Sequence, residues 1–365
     1  MYKCATRQKL NTFTTARLIK ISSLSFRSKI LRMKKLLLVS FLFVVMFCNA
    51  QQNSTVKNII PVPASVTERP GTFTLKNNFN ISVSGDDTAM NVAKQLSAAL
   101  SVPTGFAGTV KNGSGGIIQL ELLSTADNSI GTEGYKLSVT TKGVSISANK
   151  PAGLFYGMQT LLQLLPPSIE SKTAAANTTW AIPCVEITDM PRFGWRGLMF
   201  DVSRHFFTKD EVKYFIDDMV KYKYNLLHWH LTDDEGWRIE IKSLPKLTEV
   251  GAWRINHEGK WGNTSNPFPN EPRTYGGFYT QEDIKEVVQY AKERFVNVLP
   301  EVDVPGHSLA AVASSPITAI VFILFFKGKT WLLFFNKTID SSAACFAMAL
   351  CDESFINAFI ESSET

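Results

Sequence analysis

From about residue 187 onward, the chain alternates short apolar segments with amphipathic ones, and this rhythm constrains its fold more than any other feature. The predicted strands span residues 197–202, 225–231 and 296–302. A capping box, in which Thr208 is followed three residues later by Glu211, predicts the start of a helix after the first strand. Thr280 and Asp283 repeat that spacing before the third strand. Alternating strands and helices favour parallel pairing, which predicts either a doubly wound sheet or a barrel.

Polar residues collect at the carboxyl ends of these three strands. The segments concerned are Asp201–His205, His228–Asp234 and Glu301–His307. Because functional sites in a parallel barrel are built at this end of the strands, the pattern predicts a site there. The segment between Gly251 and Gly277 is long and rich in Pro, Gly and Asn, as expected for a loop on the same face.

The spacing of apolar residues in 53–185 predicts a separate, smaller α+β domain, in which helices cover an antiparallel sheet. Apolar and polar residues alternate in five strand-like segments, at 71–75, 80–83, 117–122, 135–139 and 144–148. Two segments with helical spacing, 90–100 and 152–165, would cover the sheet. No cluster of titratable residues occurs here, so this domain by itself predicts no chemistry.

The net charge does not indicate a nucleic-acid partner, although it is +6. Ten Lys and Arg residues, and no Asp or Glu, occupy the first 35 positions. The remainder of the chain is close to neutral, whereas a phosphate-binding groove needs clustered basic side chains. With 45% hydrophobic and 19% charged residues, the 365-residue chain has enough apolar side chains for an ordinary globular core.

The amino terminus predicts a targeting signal rather than folded structure. Met33 opens a short basic start, and residues 36–47 form an apolar run that is too short to span a bilayer comfortably. Small side chains follow, which predicts cleavage before Gln51 and a secreted or periplasmic protein. Residues 1–50 thus combine an upstream extension with a signal peptide. A retained anchor, or a lipoprotein anchored at Cys48, remains an alternative.

His228 and His230 leave two interpretations open. They lie two apart on a predicted strand and therefore face the same way, as a pair of metal ligands in a barrel hydrolase would. Buried histidines held by neighbouring hydrogen bonds have the same spacing and are commoner. The five cysteines show no metal-binding spacing and no disulfide framework. The sequence thus predicts no metal and no other cofactor.

Five further residues are candidates for a site, each with a structural alternative. Asp233 and Asp234 form an adjacent pair suited to acid–base work, but they would also cap a following helix. Asp303 and His307 lie four apart, which fits a carboxylate that orients an imidazole or an aspartate that stabilises a turn. Arg196 lies in an apolar stretch, which favours a substrate contact over a surface ion pair.

Several long motifs resemble those of family 20 glycoside hydrolases, the β-N-acetylhexosaminidases. The barrel motifs are Arg196–Phe206, His228–Arg238, Tyr275–Thr280 and Pro300–Ser308. The segments 60–63 and 157–164 are similar to parts of the domain that precedes the barrel in that family. The resemblance covers roughly residues 59–316, and the motifs occur in the family's order.

The resemblance implies a (β/α)8 barrel after the small domain, and removal of terminal N-acetylglucosamine or N-acetylgalactosamine with retention. In this family the substrate's own acetamido oxygen attacks the anomeric carbon. By resemblance, Arg196, Asp234 and Asp303 would bind or support the terminal sugar. Asp233 and His307 would form a relay that tunes the acid. The implied partners are N-acetylhexosamine-containing glycans or chitooligosaccharides.

The resemblance stops before the family's acid pair. That pair is an adjacent Asp-Glu after a His-x-Gly-Gly lead, and no such motif occurs here, so neither the general-acid Glu nor the acetamido-orienting Asp is found. Asp352 and Glu353 are adjacent but lack the glycine lead. Residues 187–316 are therefore predicted to be an incomplete barrel, and 317–365 an aberrant tail from a frameshift or truncation. An inactive sugar-binding fragment is the alternative function.

Overall fold

A computed structural model of the protein describes residues 55–256, 268, 270–303 and 306–314. The predictions for residues 1–50 and for the tail at 317–365 lie outside these described residues. Within the described part, none of the helices combines the length and apolar character needed to cross a bilayer.

The small domain is built on one seven-stranded sheet. Its strands are β1 (Ser65–Thr74), β2 (Phe79–Ser84), β3 (Gly108–Asn112), β4 (Ile118–Leu122), β5 (Tyr135–Thr140), β6 (Gly143–Ala148) and β7 (Ala181–Asp189). The strand order is β1-β7-β5-β6-β4-β2-β3. Two helices accompany the sheet, α1 (Asp87–Thr104) and α2 (Pro151–Leu164). All five predicted strands and both predicted helices of this domain are confirmed.

The sheet is mixed, which corrects the expected antiparallel arrangement. The pairs β2–β3, β2–β4 and β4–β6 are parallel, and the other three pairs are antiparallel. Parallel neighbours need a crossover connection, and helix α1 provides one between β2 and β3. Strands β3 and β7 were not predicted, and Pro183 within β7 is a residue that disfavours a strand. Pro183 lies where the β1–β7 register shifts, so the sheet accommodates it at an irregularity.

The second part of the chain forms three parallel strands with helices between them. Its elements are β8 (Gly197–Asp201), α3 (Lys209–Lys221), β9 (Leu226–Asp233), β10 (Gly236–Trp237), α4 (Lys246–Glu249), β11 (Trp253–Arg254), β12 (Tyr275–Gly276), α5 (Gln281–Lys292), β13 (Asn297–Val302) and α6 (Leu309–Ser314). Strand β9 is central and pairs in parallel with β8 and with β13. Both predicted capping boxes are present, at Thr208 with Glu211 and at Thr280 with Asp283.

One face of this sheet carries the core and the other faces the inside of the barrel. Leu227, Trp229 and Leu231 on β9 are fully buried among the hydrophobic residues of α3 and α5. On the opposite face, Met199 and Leu299 flank His228 in register and are 53% and 39% exposed. This alternation is that of a barrel strand, with helices outside and layered side chains inside.

Candidate functional site

The site begins as a polar layer across three strands. The parallel register aligns His230 on β9 with Asp201 on β8 and with Glu301 on β13. The layer below contains Met199, His228 and Leu299. Because alternate residues of a strand share a face, the polar layer lies inside the barrel at the carboxyl ends of the strands.

Arg204 is the cation at the centre of this polar layer. Its guanidinium lies 2.6 Å from Oδ2 of Asp233 and 2.9 Å from Oδ2 of Asp201. A third carboxylate, that of Glu235, lies 3.5 Å from Nε. Burial alone would lower the pKa of Arg204, but the hydrogen bond and charge of Asp201, with the charges of Asp233 and Glu235, raise it overall. Arg204 therefore remains charged and holds three carboxylates together.

Asp233 is the most deeply buried carboxylate of the site. Its side chain is 1% exposed, and both of its oxygens have partners. Oδ2 contacts Arg204 and also lies 2.9 Å from Nε2 of His230. Oδ1 accepts a 2.7 Å hydrogen bond from the backbone N–H of Asp234. A buried carboxylate with this many donors is fixed in orientation, as a charged group in a site must be.

His307 and Asp234 lie beside Asp233, at the more exposed side of the cluster. Nδ1 of His307 is 3.3 Å from Oδ1 of Asp233 and 3.8 Å from Oδ2 of Asp234. His307 has a φ of 52°, which holds its backbone in the left-handed region. Asp234 also accepts a 3.0 Å bond from the N–H of Leu309, at the start of α6. The structure thus brings Asp233, Asp234 and His307 together, as the sequence predicts.

Asp303 follows β13 at the edge of the same cluster. Its backbone N–H donates a 3.0 Å hydrogen bond to Oγ1 of Thr232, which is buried next to Asp233. The register between β9 and β13 shifts between Glu301 and Val302. This irregularity lies next to Asp303, as bulges beside functional sites often do.

His228 and His230 share one carboxylate, that of Glu301. Oε2 of Glu301 lies 2.5 Å from Nε2 of His228 and 3.0 Å from Nδ1 of His230. Burial would lower the pKa of His230, but the carboxylates of Glu301, Asp233 and Asp201 raise it overall. These contacts supply both imidazoles with anionic partners and favour the interpretation of buried, paired histidines over metal ligands.

Asp233, Asp234 and His307 form the group of described residues with the right atoms for a metal ion. Their potential ligand atoms lie within 4.8 Å of one another. Asp233, however, already contacts Arg204 and His230. A guanidinium in that position supplies the positive charge that a metal would otherwise provide, so the contacts do not favour a metal centre here.

Arg196 lies away from this cluster, which corrects its predicted place in the site. It precedes β8 and is therefore at the amino end of the strand, whereas Arg204 follows the carboxyl end. Its guanidinium makes two 3.0 Å bonds to the carboxylate of Glu133 in the small domain. Its Nε donates to the carbonyl of Lys223 at 2.7 Å. Arg196 thus ties the small domain to the barrel.

A cavity of about 500 Å³ lies beside that ion pair. Arg196, Glu133 and Tyr156 line it, together with the buried Lys223. Lys223 donates to Asp189 at 2.7 Å and to the hydroxyl of Tyr135 at 2.9 Å. These contacts cross from the barrel to the sheet of the small domain.

Arg238 is a second arginine whose role the sequence motifs did not reveal. It is completely buried and donates to four backbone carbonyls, those of Val202, Ser203, Ala252 and Gly277. Burial lowers its pKa to about 10. Two of its acceptors directly precede Arg204, so Arg238 fixes the backbone from which Arg204 reaches the site.

Two family descriptions match this chain. Residues 56–190 match "Glycosyl hydrolase family 20, domain 2", and residues 193–345 match "Glycosyl hydrolase family 20, catalytic domain". The two matches follow one another and include every described element from β1 to α6.

Curated and solved relatives agree with this assignment. The chain is 41% identical over 262 residues to a beta-hexosaminidase of Porphyromonas gingivalis. It superimposes on the N-acetyl-beta-hexosaminidase of Streptomyces plicatus with a TM-score of 0.63 at 41% identity. An exo beta-N-acetylglucosaminidase of Vibrio harveyi, solved with N-acetylglucosamine, gives a TM-score of 0.61 at 36% identity.

The chain spans only part of these relatives. The match covers 71% of this chain and 32% of the Porphyromonas protein. It covers 71% of this chain and 48% of the Streptomyces chain, and 72% and 38% for the Vibrio structure.

Proposed function

The chain belongs to glycosyl hydrolase family 20, and from this premise we propose that it carries the sugar-binding half of a β-N-acetylhexosaminidase. The proposed substrates are glycans or chitooligosaccharides that end in β-linked N-acetylglucosamine or N-acetylgalactosamine. The relative from Vibrio harveyi that was solved with N-acetylglucosamine supports this substrate class.

The observation that carries the proposal is the convergence of Arg204, Asp233 and His307. Arg204 and His307 follow β8 and β13, and Asp233 is the last residue of β9, yet their side chains form one connected cluster at the carboxyl ends. A partly exposed guanidinium next to fixed carboxylates offers donors and acceptors for sugar hydroxyls in a defined geometry. The sugar-binding role first assigned to Arg196 therefore fits Arg204.

The proposed reaction is substrate-assisted and retaining. The acetamido oxygen of the sugar attacks the anomeric carbon, so the protein needs no nucleophile of its own. The described residues would bind the terminal sugar and keep charged side chains next to it. Asp233 and His307 would act on the acid through the 3.3 Å contact between Nδ1 of His307 and Oδ1 of Asp233, since a nearby charge shifts the pKa of a carboxyl group.

A second candidate function is sugar binding without turnover by the 365-residue chain. The sequence motif that would supply the general acid and the acetamido-orienting aspartate is not found in it. The binding cluster would then retain affinity for the sugar while hydrolysis is lost.

Two measurements on the 365-residue chain test these candidates together. Calorimetric titration with N-acetylglucosamine is expected to show binding, and glucose, which lacks the acetamido group, is expected to bind more weakly. A chromogenic N-acetyl-β-glucosaminide reports hydrolysis. Binding with turnover supports the enzyme, binding without turnover supports the sugar-binding chain, and no binding of either sugar contradicts both.

Export is a further part of the proposal. The apolar segment 36–47, after a basic start at Met33, supports passage through a secretion pathway with cleavage before Gln51. Mass spectrometry of the protein recovered from its producing cells is expected to find Gln51 as the first residue. A mature chain that begins at Cys48 with an attached lipid would support the lipoprotein alternative instead.

A further inference from the structure

His230 lies between two carboxylates in the buried part of the site. Its side chain is 3% exposed. Nε2 faces Oδ2 of Asp233 at 2.9 Å, and Nδ1 faces Oε2 of Glu301 at 3.0 Å. The first contact is a hydrogen bond, whereas the second is an ion-pair contact whose alignment falls short of one.

This geometry determines how many protons the ring carries. A carboxylate only accepts, so a ring nitrogen that faces one is favoured in its N–H form. Both ring nitrogens of His230 face carboxylate oxygens, and a ring with two N–H groups is the imidazolium. Nη1 of Arg204 lies 3.2 Å from Nε2 and, because arginine only donates, a hydrogen bond there would need the lone pair of Nε2, but the same guanidinium has closer carboxylate partners in Asp201 at 2.9 Å and Asp233 at 2.6 Å.

The contact at Glu301 extends the cluster toward a second imidazole. Nε2 of His228 lies 2.5 Å from the same oxygen of Glu301 that faces His230. Imidazoles and carboxylates therefore alternate from His228 through Glu301, His230 and Asp233 to His307. Both ends are reachable by solvent, since the side chains of His228 and His307 are 31% and 55% exposed.

We propose that His230 is a positioning residue of the sugar site, which as an imidazolium between Asp233 and Glu301 holds the Asp233 carboxylate toward Arg204 and His307. His230 gains and loses its proton through Glu301 and the partly exposed His228. The proposal rests on the proposed function, because the site that His230 arranges is the one assigned to the sugar.

The consequence is a pH dependence of sugar affinity. When His230 loses its proton, one of the two N–H groups between Asp233 and Glu301 is gone. Asp233 keeps its contacts with Arg204 and with the N–H of Asp234 but loses one restraint on its orientation toward His307, and the sugar is bound less tightly. The other charged groups that face His230 are Asp201 and Arg204, and Arg204 pairs with both Asp201 and Asp233.

The first test follows the imidazole protons in the unaltered chain. The protein has five histidines, so ¹⁵N–¹H spectra of the rings can be assigned with single substitutions. His230 is expected to titrate above the value near 6.5 of an unconstrained imidazole. Glu301→Gln, which removes a charge and keeps the shape, is expected to lower that midpoint by about one pH unit. A midpoint for His230 at or below 6.5 in the unaltered chain overturns the proposal.

The second test distinguishes the role of Nε2 of His230 from that of Nδ1. His230→Gln places an amide N–H near the position of Nε2 and preserves the donor toward Asp233, whereas His230→Asn places one near Nδ1 and removes it. The Gln variant is expected to bind N-acetylglucosamine about tenfold more tightly than the Asn variant, and with less pH dependence than the unaltered chain. Equal affinities for the two variants, each with the circular dichroism spectrum of the unaltered chain, overturn the proposal.

The titration remains decisive if either variant fails to fold, because it uses the unaltered protein. It also distinguishes this inference from the proposed function. If the titration midpoint of His230 is raised but the chain binds no N-acetylglucosamine, the proposed sugar-binding function is contradicted. A chain that binds the sugar with the same affinity from pH 5 to pH 9 contradicts the role of His230 alone.

Discussion

The guanidinium of Arg204 lies 2.6 Å from the carboxylate of Asp233, so the two residues form one ion pair at the carboxyl ends of the barrel strands. Their side chains are 35% and 1% exposed. Arg204 therefore covers Asp233 and still presents part of its own surface to a ligand. A cation that is paired on one side and open on the other can bind sugar hydroxyls without a reorganisation of its own.

Replacement of Arg204 tests whether this ion pair binds the sugar. Arg204→Met keeps an unbranched side chain and removes all five donors. We expect the affinity for N-acetylglucosamine to fall about 10- to 100-fold, because hydrogen bonds from a charged group contribute about 1.5–3 kcal/mol. Calorimetric titration measures the change.

Arg196→Met is the matched control, since Arg196 lies at the other end of β8 and contacts Glu133. The control is expected to lower the free energy of unfolding with little effect on sugar affinity. If Arg196→Met weakened sugar binding more than Arg204→Met, the assignment of the site to the carboxyl ends would be wrong.

Arg238 makes a separate prediction about stability. Arg238→Met removes the side-chain donor of four buried carbonyl groups, of which that of Ala252 also accepts a hydrogen bond from the backbone N–H of Gly277 at 3.2 Å. We expect the free energy of unfolding to fall by about 3 kcal/mol or more, because each unsatisfied buried group costs about 1–3 kcal/mol. Urea unfolding, followed by tryptophan fluorescence, measures the loss.

Lys242→Met serves as the control for Arg238, because the Lys242 side chain is 58% exposed and its ion pair with Glu282 is a loose 3.7 Å contact. This change is expected to leave the unfolding midpoint nearly the same. A similar midpoint for both variants would show that the four carbonyl contacts of Arg238 contribute little.

Much of the fold was predictable because its signals are local. The capping boxes at Thr208 and Thr280 and the alternation in β9 depend on neighbours within a few residues, and the helices and strands that they predict are present. The alternation of strands and helices then favours parallel pairing, because parallel neighbours need a crossover connection. That pairing is enough to gather Asp233, Asp234 and His307.

What could not be predicted depends on partners far apart in the chain. Arg196 and Glu133 are 63 residues apart, and nothing around Glu133 marks it as a partner. Arg238 binds backbone carbonyls, which carry no sequence signal at all. The wrong placement of Arg196 in the site could have been avoided, because a residue that precedes a strand lies at the amino end of that strand. Strand direction alone favours Arg204 for the site.

Metal removal tests the remaining alternative, a barrel hydrolase built on His228 and His230. Both imidazoles face carboxylate oxygens of Glu301 or Asp233. We therefore expect the chain to keep its melting temperature when a chelator such as EDTA is added, as measured by differential scanning calorimetry. Stoichiometric bound zinc by elemental analysis, absent from His230→Ala, would contradict this expectation.

The ion pair between Glu133 and Arg196 makes the last prediction, on stability in acid. Burial tends to raise the pKa of Glu133, but the hydrogen bonds and charge of Arg196, with bonds from Asn225 and Tyr156, lower it below its usual value of 4.5. The folded state therefore binds this proton less readily than the unfolded state. The stabilisation is fully present above the unfolded pKa and is lost as the pH falls through the folded one.

Glu133→Gln is accordingly expected to reduce the free energy of unfolding by about 1–3 kcal/mol at pH 7, where the pair is charged. Below pH 4.5 the difference between variant and unaltered chain should narrow, because the unaltered chain loses this contribution as Glu133 becomes protonated. Urea unfolding at pH 7, 4 and 3 measures this difference in the free energy of unfolding. Glu170→Gln is the control, since Glu170 pairs with Lys221 at 2.7 Å but is 57% exposed, and an exposed pair contributes little at any pH. A constant difference between Glu133→Gln and the unaltered chain across the three pH values would mean that the partly buried pair of Glu133 and Arg196 does not stabilise the junction through its charge.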